Sequence, residues 1–217
     1  VFLKIRDMFR AYPKPVVYTP GDNEWTDCHG VGADPIERLD KLRELFFNDP
    51  TTLRLEKLKT VHQNRVPSFT TYVENYRFSK AGVLFIVVHV VGSGNNYRAD
   101  HPPSMEEFSA RNAANLAFLQ ESFAEALAED VPGVAVVIHA NPGFEKGGGA
   151  GPRRLVEEVL LTKLFQALKW ALRPARRDLL CYIQLDTRQI GQLQRWDSVQ
   201  VAPDVSDTRL DHVAEYA

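Results

Sequence analysis

Sulfur is scarce in this chain, with two cysteines and two methionines among 217 residues. Cys28 and Cys181 lie far apart, and either a pair or two free thiols fits their number, so cysteine usage fixes neither compartment nor redox role. An excess of basic charge is lacking too. Net charge is -2, and no basic face stands out as a nucleic-acid footprint. Long hydrophobic runs are missing: the longest, Gly82 to Gly92, is interrupted by His89 and reaches about half of the ~20 residues a spanning helix needs. No membrane span and no nucleic-acid partner are expected. The N-terminus has no signal-peptide pattern, because charges begin at Lys4 and recur at Arg6, Asp7 and Arg10. An initiator methionine is absent as well, which leaves open a processing site, an artificial boundary or the broken end of a longer reading frame. Localisation therefore stays undetermined.

What is present is an ordinary globular composition, 44% hydrophobic and 25% charged. The length suits one domain able to bury roughly 70% of its unfolded surface, and the expected division is a single α/β domain over 1–195 and a polar tail over 196–217. Apolar spacing predicts a helix from Phe2 to Ala11, stopped by Pro13 and Pro15. Pro15 to Thr19 reads as a short buried strand opening into the turn Pro20-Gly21-Asp22-Asn23. Asp34, Pro35 and Glu37 start a helix whose stripe is Ile36, Leu39, Leu42, Leu45 and Phe46, ended by Asn48-Asp49-Pro50. Thr51 to Phe69 reads as mostly loop. Strands are expected over Thr71–Phe78, Gly82–Val91, Val134–Ala140 and Asp178–Leu185. The longest helix, capped by Ser104 with Glu107, runs to about Glu129 with Phe108, Leu116, Leu119, Phe123 and Leu127 on its buried face. A further helix is expected over Arg153–Leu172, and Gly147 to Gly151 reads as a linker.

The segment Tyr18-Thr19-Pro20-Gly21-Asp22-Asn23-Glu24-Trp25-Thr26-Asp27-Cys28-His29 is chemically the most informative. It crowds acid, amide and imidazole groups at the end of an apolar stretch. Open α/β folds place ligands at strand carboxyl ends, and these side chains suit hard or borderline divalent metals. A plain polar turn, in which Asp22 or Asn23 caps the backbone, accounts for the same residues. Both readings stay open on composition alone.

That segment resembles the third motif of the calcineurin-like metallophosphoesterases, Gly-Asn-His-Glu or Gly-Asn-His-Asp after a buried strand. It is more similar still to a divergent bacterial-type branch carrying Tyr-Thr-Pro-Gly-Asp-Asn-Glu-Trp-x-Asp-Cys. The likeness continues through Asp34–Leu39, Leu42–Phe47, Val91–Asn96, Glu107–Asn115 and Val136–Phe144. The resemblance implies a partial two-sheet α/β sandwich with flanking helices, and hydrolysis of a phosphate mono- or diester by divalent metal ions (Mn, Fe, Zn or Mg). Position by position, it makes Asp22, Glu24 and His139 the metal ligands, with Asn23 standing where the family has its leaving-group histidine. His29 then becomes a candidate proton donor, since an amide cannot replace an imidazolium.

Departures accompany the likeness. The family's first two motifs, Asp-x-His and Gly-Asp-x-x-Asp, do not occur in the fourteen residues before Pro15. Near the other end, Gln184-Leu185-Asp186-Thr187-Arg188 takes the place of a final histidine motif, with Gln184 and Arg188 where imidazoles are expected. These gaps imply weak or no hydrolysis by the chain as it stands, and a non-catalytic relative used for binding or scaffolding is the alternative. They also imply an unpaired sheet edge at Val16 and Val17. Read without the family, His139 is as well explained as a satisfied rim residue, His89 as core packing, Trp25 as a loop anchor, and Gly92–Asn96 as a turn.

Overall fold

The computed structural model describes residues 1–140 and the strand Leu180–Gln184. Four helices, α1 (Phe2–Ala11), α2 (Pro35–Phe47), α3 (Pro50–Leu53) and α4 (Pro102–Ala128), accompany five strands: β1 (Val61–His62), β2 (Tyr76–Lys80), β3 (Val83–Val87), β4 (Gly133–Ile138) and β5 (Leu180–Gln184). The strands form one mixed sheet in the order β1-β2-β3-β4-β5. β1, β2 and β3 pair antiparallel, and β3, β4 and β5 pair parallel. The chain is thus α/β, and among the described residues there is a single sheet. No helix among them is long and apolar enough to cross a membrane.

The hairpin between β2 and β3 turns on Ala81 and Gly82, both at positive φ (51° and 82°), as a tight two-residue connection requires. From β3 the chain crosses over through α4 and returns as the parallel strand β4, a βαβ unit. The central strands read as near-continuous apolar runs because both of their faces are covered. Leu84, Ile86, Val88 and Val90 face Phe118, Leu119 and Phe123 of α4, joined by Val134, Val136 and Ile138. The alternate residues, Val87 and Val137, face Tyr76, Phe78, Leu53 and Leu55. A third cluster seats Trp25 and Val91 on the stripe Leu39, Leu42, Leu45 and Phe46 of α2.

Several boundaries differ from the sequence expectations. Pro15–Thr19 is not a strand: Val16 N–H donates to the Leu53 carbonyl (2.9 Å) and Tyr18 N–H to the Tyr76 hydroxyl (2.9 Å), so no ladder forms. The sheet edge expected at Val16 and Val17 is therefore not there. β2 starts at Tyr76 rather than Thr71, and the expected strand Gly82–Val91 pairs regularly only over Val83–Val87. α4 is capped by His101, whose ring accepts from Ser104 N–H (3.3 Å), because Pro102 already occupies the first helical turn. Glu107 instead bonds Asn96 and Arg111, and Leu127 is 48% exposed, off the buried face. At α2, Asp34 caps as expected by accepting from Ile36 N–H (2.9 Å), while Glu37 pairs with Arg38. The expected helix 153–172, the linker 147–151, the 185–188 part of the final motif and the tail 196–217 lie outside the described residues.

Candidate functional site

The site is built where β3 and β4 run out. After Val87 the chain makes a tight turn in which Val90 N–H donates to the Val88 carbonyl (3.0 Å), and His139 and Ala140 N–H both donate to the Val90 carbonyl (3.1 and 3.0 Å). This places Gly92 and Ser93 beside His139. The loop Gly21–Trp25 closes over them. It is folded by Asp22, whose carbonyl accepts from the backbone N–H groups of Trp25 and Asp27 and from the Thr26 hydroxyl (each 3.1 Å).

Asp22 and His139 face each other, with Oδ1 and Nε2 separated by 3.8 Å and side chains only 14% and 11% exposed. The other carboxylate oxygen of Asp22 accepts from Ser93 Oγ (3.1 Å), and Asn23 Nδ2 donates to Oδ1 (3.2 Å). Gly92 N–H donates to His139 Nδ1 at 3.4 Å. Glu24 folds back so that Oε2 accepts from Gly21 N–H (2.9 Å). Two glycines permit this crowding. A Cβ at Gly21 would lie 2.6 Å from Glu24 Oε2 and 2.7 Å from the His139 ring, and one at Gly92 would overlap the Asp22 carboxylate.

The sequence candidates therefore separate. Asp22, Glu24 and His139 come together around Gly21, and Asn23 sits exposed at the rim, bonded to Asp22. His29 is exposed on the 3-10 turn Thr26–Val31, its Nδ1 2.7 Å from the Thr26 carbonyl oxygen, and no hydrogen bond or ion pair joins it to Asp22, Glu24 or His139. Ser93 and Gly92 contribute contacts that sequence reasoning did not assign. Among the described residues, no group of three or more His, Cys, Asp or Glu is set to hold a metal ion. The candidate site pairs one carboxylate, Asp22, with the His139 imidazole, and a second carboxylate, Glu24, is tied to backbone.

Beneath it lies a buried polar network. Glu74, fully buried, accepts from Arg43 Nη2 (2.7 Å) and from His89 Nδ1–H (2.9 Å). Burial opposes its ionisation, but the Arg43 charge and the His89 bond outweigh that and hold its carboxyl at about 2. Burial in turn pushes His89 down to about 4, so the ring is neutral with its proton toward Glu74. Among the described residues, the buried His89 Nε2 and Trp25 indole N–H have no hydrogen-bond partner, and the two rings lie 5.4 Å apart. Asn75 joins Gln63 and Asn115, and Asn115 donates to the His89 carbonyl (2.8 Å). The available signal was the placement of Arg111, Asn115 and Ser122 on the same helical stripe as Phe108 and Phe118.

This chain matches no protein-family model, no curated protein and no solved structure.

Proposed function

We propose that the chain is a calcineurin-like metallophosphoesterase relative in which Asp22 and His139 hold a divalent cation, with weak or no turnover of phosphate esters by these 217 residues. The observation that carries this reading is the 3.8 Å separation of Asp22 Oδ1 and His139 Nε2. That gap is too long for a hydrogen bond. It falls under the ceiling of about 4.2 Å for two ligands that each sit about 2.1 Å from one ion. A carboxylate oxygen and an imidazole nitrogen suit Mn, Fe or Zn, and the carboxylate alone suits Mg.

The chain's own residues prepare the site in identifiable ways. Ser93 occupies one oxygen of Asp22, and Oδ1, which also accepts from Asn23 Nδ2, faces His139. Ligation through Nε2 requires the ring proton on Nδ1, which gives up the long 3.4 Å contact with Gly92 N–H. Glu24 becomes a third ligand only by releasing Gly21 N–H. A bound ion would supply Lewis-acid polarisation of a phosphoryl oxygen and offset its charge. Asn23 can donate a hydrogen bond to a phosphate oxygen from the rim but carries no titratable proton. One specific observation favours the non-catalytic alternative: His29, the candidate proton donor, is held on the Thr26 carbonyl.

Calorimetric titration with Mn²⁺ and Zn²⁺ tests the reading, with Asp22→Ala and His139→Ala alongside. Wild type should bind, and each substitution should weaken binding by at least about tenfold, the scale seen when support for a metal site is removed. Equal binding by all three proteins would sink the proposal. Hydrolysis of an aryl phosphate and of an aryl phosphodiester should not exceed that of Asp22→Ala. Turnover well above that control would establish an active enzyme instead of a binding protein.

A further inference from the structure

The loop after β3 has a backbone its residues do not adopt on their own. Ser93, Gly94, Asn95 and Asn96 have φ of 52°, 69°, 54° and 66°. The left-handed region brings the Cβ of an L residue close to the following carbonyl, and Asn tolerates it only as an isolated residue. Three non-glycine residues there in one loop persist only when the surroundings over-determine them.

The restraint comes from α4. Arg111, fully buried, donates from Nη1 to Asn95 Oδ1 (2.7 Å) and to the His89 carbonyl (2.9 Å), and from Nη2 to the Asn95 carbonyl (2.9 Å). Glu107 receives Arg111 Nε (2.6 Å) and also Asn96 Nδ2 (2.8 Å), so the ion pair grips the loop twice. The guanidinium also lies over the Trp25 ring, 5.2 Å from its centroid. Trp25 directly follows Glu24, and Ser93 directly follows Gly92. One buried side chain thus touches both segments that meet at Asp22, while touching neither Asp22 nor His139.

We infer that Arg111 is a positioning residue: by fixing Asn95 and Trp25 it holds Gly92 and Ser93 against His139 and Asp22, in the arrangement that receives a cation. The inference rests on the divalent-cation reading of Asp22 and His139. Arginine is required because its planar fork reaches divergent acceptors at once, which a lysine ammonium cannot do. Lysine keeps the charge opposite Glu107 but satisfies only part of the set.

Two readouts separate the inference from the reading beneath it. Mn²⁺ titration of wild type and Arg111→Lys, well below the melting temperature of each, should show affinity falling by about 10- to 100-fold in the variant. Amide hydrogen exchange without metal should accelerate at 93–97 in Arg111→Lys while β3 and β4 keep their wild-type protection. If wild type binds Mn²⁺ and the variant binds it equally, the positioning role is overturned and the cation reading stands. If wild type does not bind Mn²⁺, the cation reading is overturned and the cation-receiving role falls with it. Exchange at 93–97 then decides the mechanical part alone: unchanged rates overturn the claim that Arg111 holds the loop. Should Arg111→Lys fail to fold, Asn95→Gly replaces it. Glycine accepts the left-handed backbone and removes the anchor oxygen, so the same loss of affinity and local protection is expected, and wild-type values overturn the inference.

Discussion

A single methyl group probes the candidate site at the residue scale. Gly92 approaches Asp22 so closely that a Cβ would overlap its carboxylate, whereas a Cβ on Gly30 would meet nothing within 4 Å. Overpacking of this kind costs about 1–3 kcal/mol when the neighbours must move. Gly92→Ala should therefore lower the melting temperature, displace Asp22 from Ser93 and weaken Mn²⁺ binding by about tenfold or more. Gly30→Ala serves as the control, and a thermal melt with a metal titration on both variants makes the check. Equal behaviour of the two would mean that the Asp22 carboxylate is not fixed by its glycine neighbour. The grouping of Asp22, Glu24 and His139 was expected only from the resemblance of segment 18–29 to a known motif, since the polar turn and the apolar run by themselves left a plain turn and a rim histidine open. Ser93 was not expected, since its bond to Asp22 joins positions 71 residues apart and depends on which strands lie side by side. His29 lies near Asp22 and Glu24 in sequence, but on the 3-10 turn Thr26–Val31 its ring bonds the Thr26 carbonyl instead of either carboxylate.

Elements were legible in proportion to how much of their signal is local. The cap, proline and stripe of α2 are contained within thirteen residues, and β3 and β4 announce themselves as apolar runs covered on both faces. Pro15–Thr19 shows the limit of that signal. An apolar run reports burial, but not whether its backbone partners are a neighbouring strand or, as here, the Leu53 carbonyl and the Tyr76 hydroxyl. The polar network was hidden for a related reason. Glu74, Asn75, Arg111 and Asn115 have surface chemistry, and only the fold shows their partners: Arg43 and His89 for Glu74, Gln63 and Asn115 for Asn75, and Asn95 and Glu107 for Arg111. Their burial makes the network a strong determinant of how α2, α4 and the entry to β2 dock. Replacing Glu74 by glutamine keeps the shape but leaves the Arg43 cation facing a neutral partner. Breaking a buried pair in this way costs about 3 kcal/mol or more. Urea unfolding of Glu74→Gln should show that loss in the midpoint, with the slope unchanged. A loss below about 1 kcal/mol, the range of exposed pairs, would mean that water reaches Glu74.

For the molecule as a whole, the same network sets the response to acid. Burial holds the native pKa of His89 near 4, against an ordinary histidine value of 6.5. The unfolded chain therefore binds a proton below pH 6.5 that the native state refuses, and stability falls as pH drops from 6.5 toward 4. His62, also lowered by burial, adds a contribution of the same sign. Glu74, at about 2 in the fold against 4.5 ordinarily, extends the decline from pH 4.5 downward, because its carboxylate is stabilised only while ionised. The protein should thus be indifferent to pH between about 7 and 8. It should then lose on the order of 2–3 kcal/mol between pH 6.5 and 4, since each unit of differential protonation is worth about 1.4 kcal/mol. Urea midpoints measured every half unit from pH 4 to 8 make the test, with His89→Gln as the comparison. In that variant the decline above pH 4.5 should shrink to the part His62 supplies. A limb equally steep in wild type and variant would show that the native protein accepts a proton on His89 as readily as the unfolded chain does. The ring would then not be sealed beneath the site by Trp25 and the Glu74 ion pair, and the two loops above it would have lost the rigid floor on which their geometry depends.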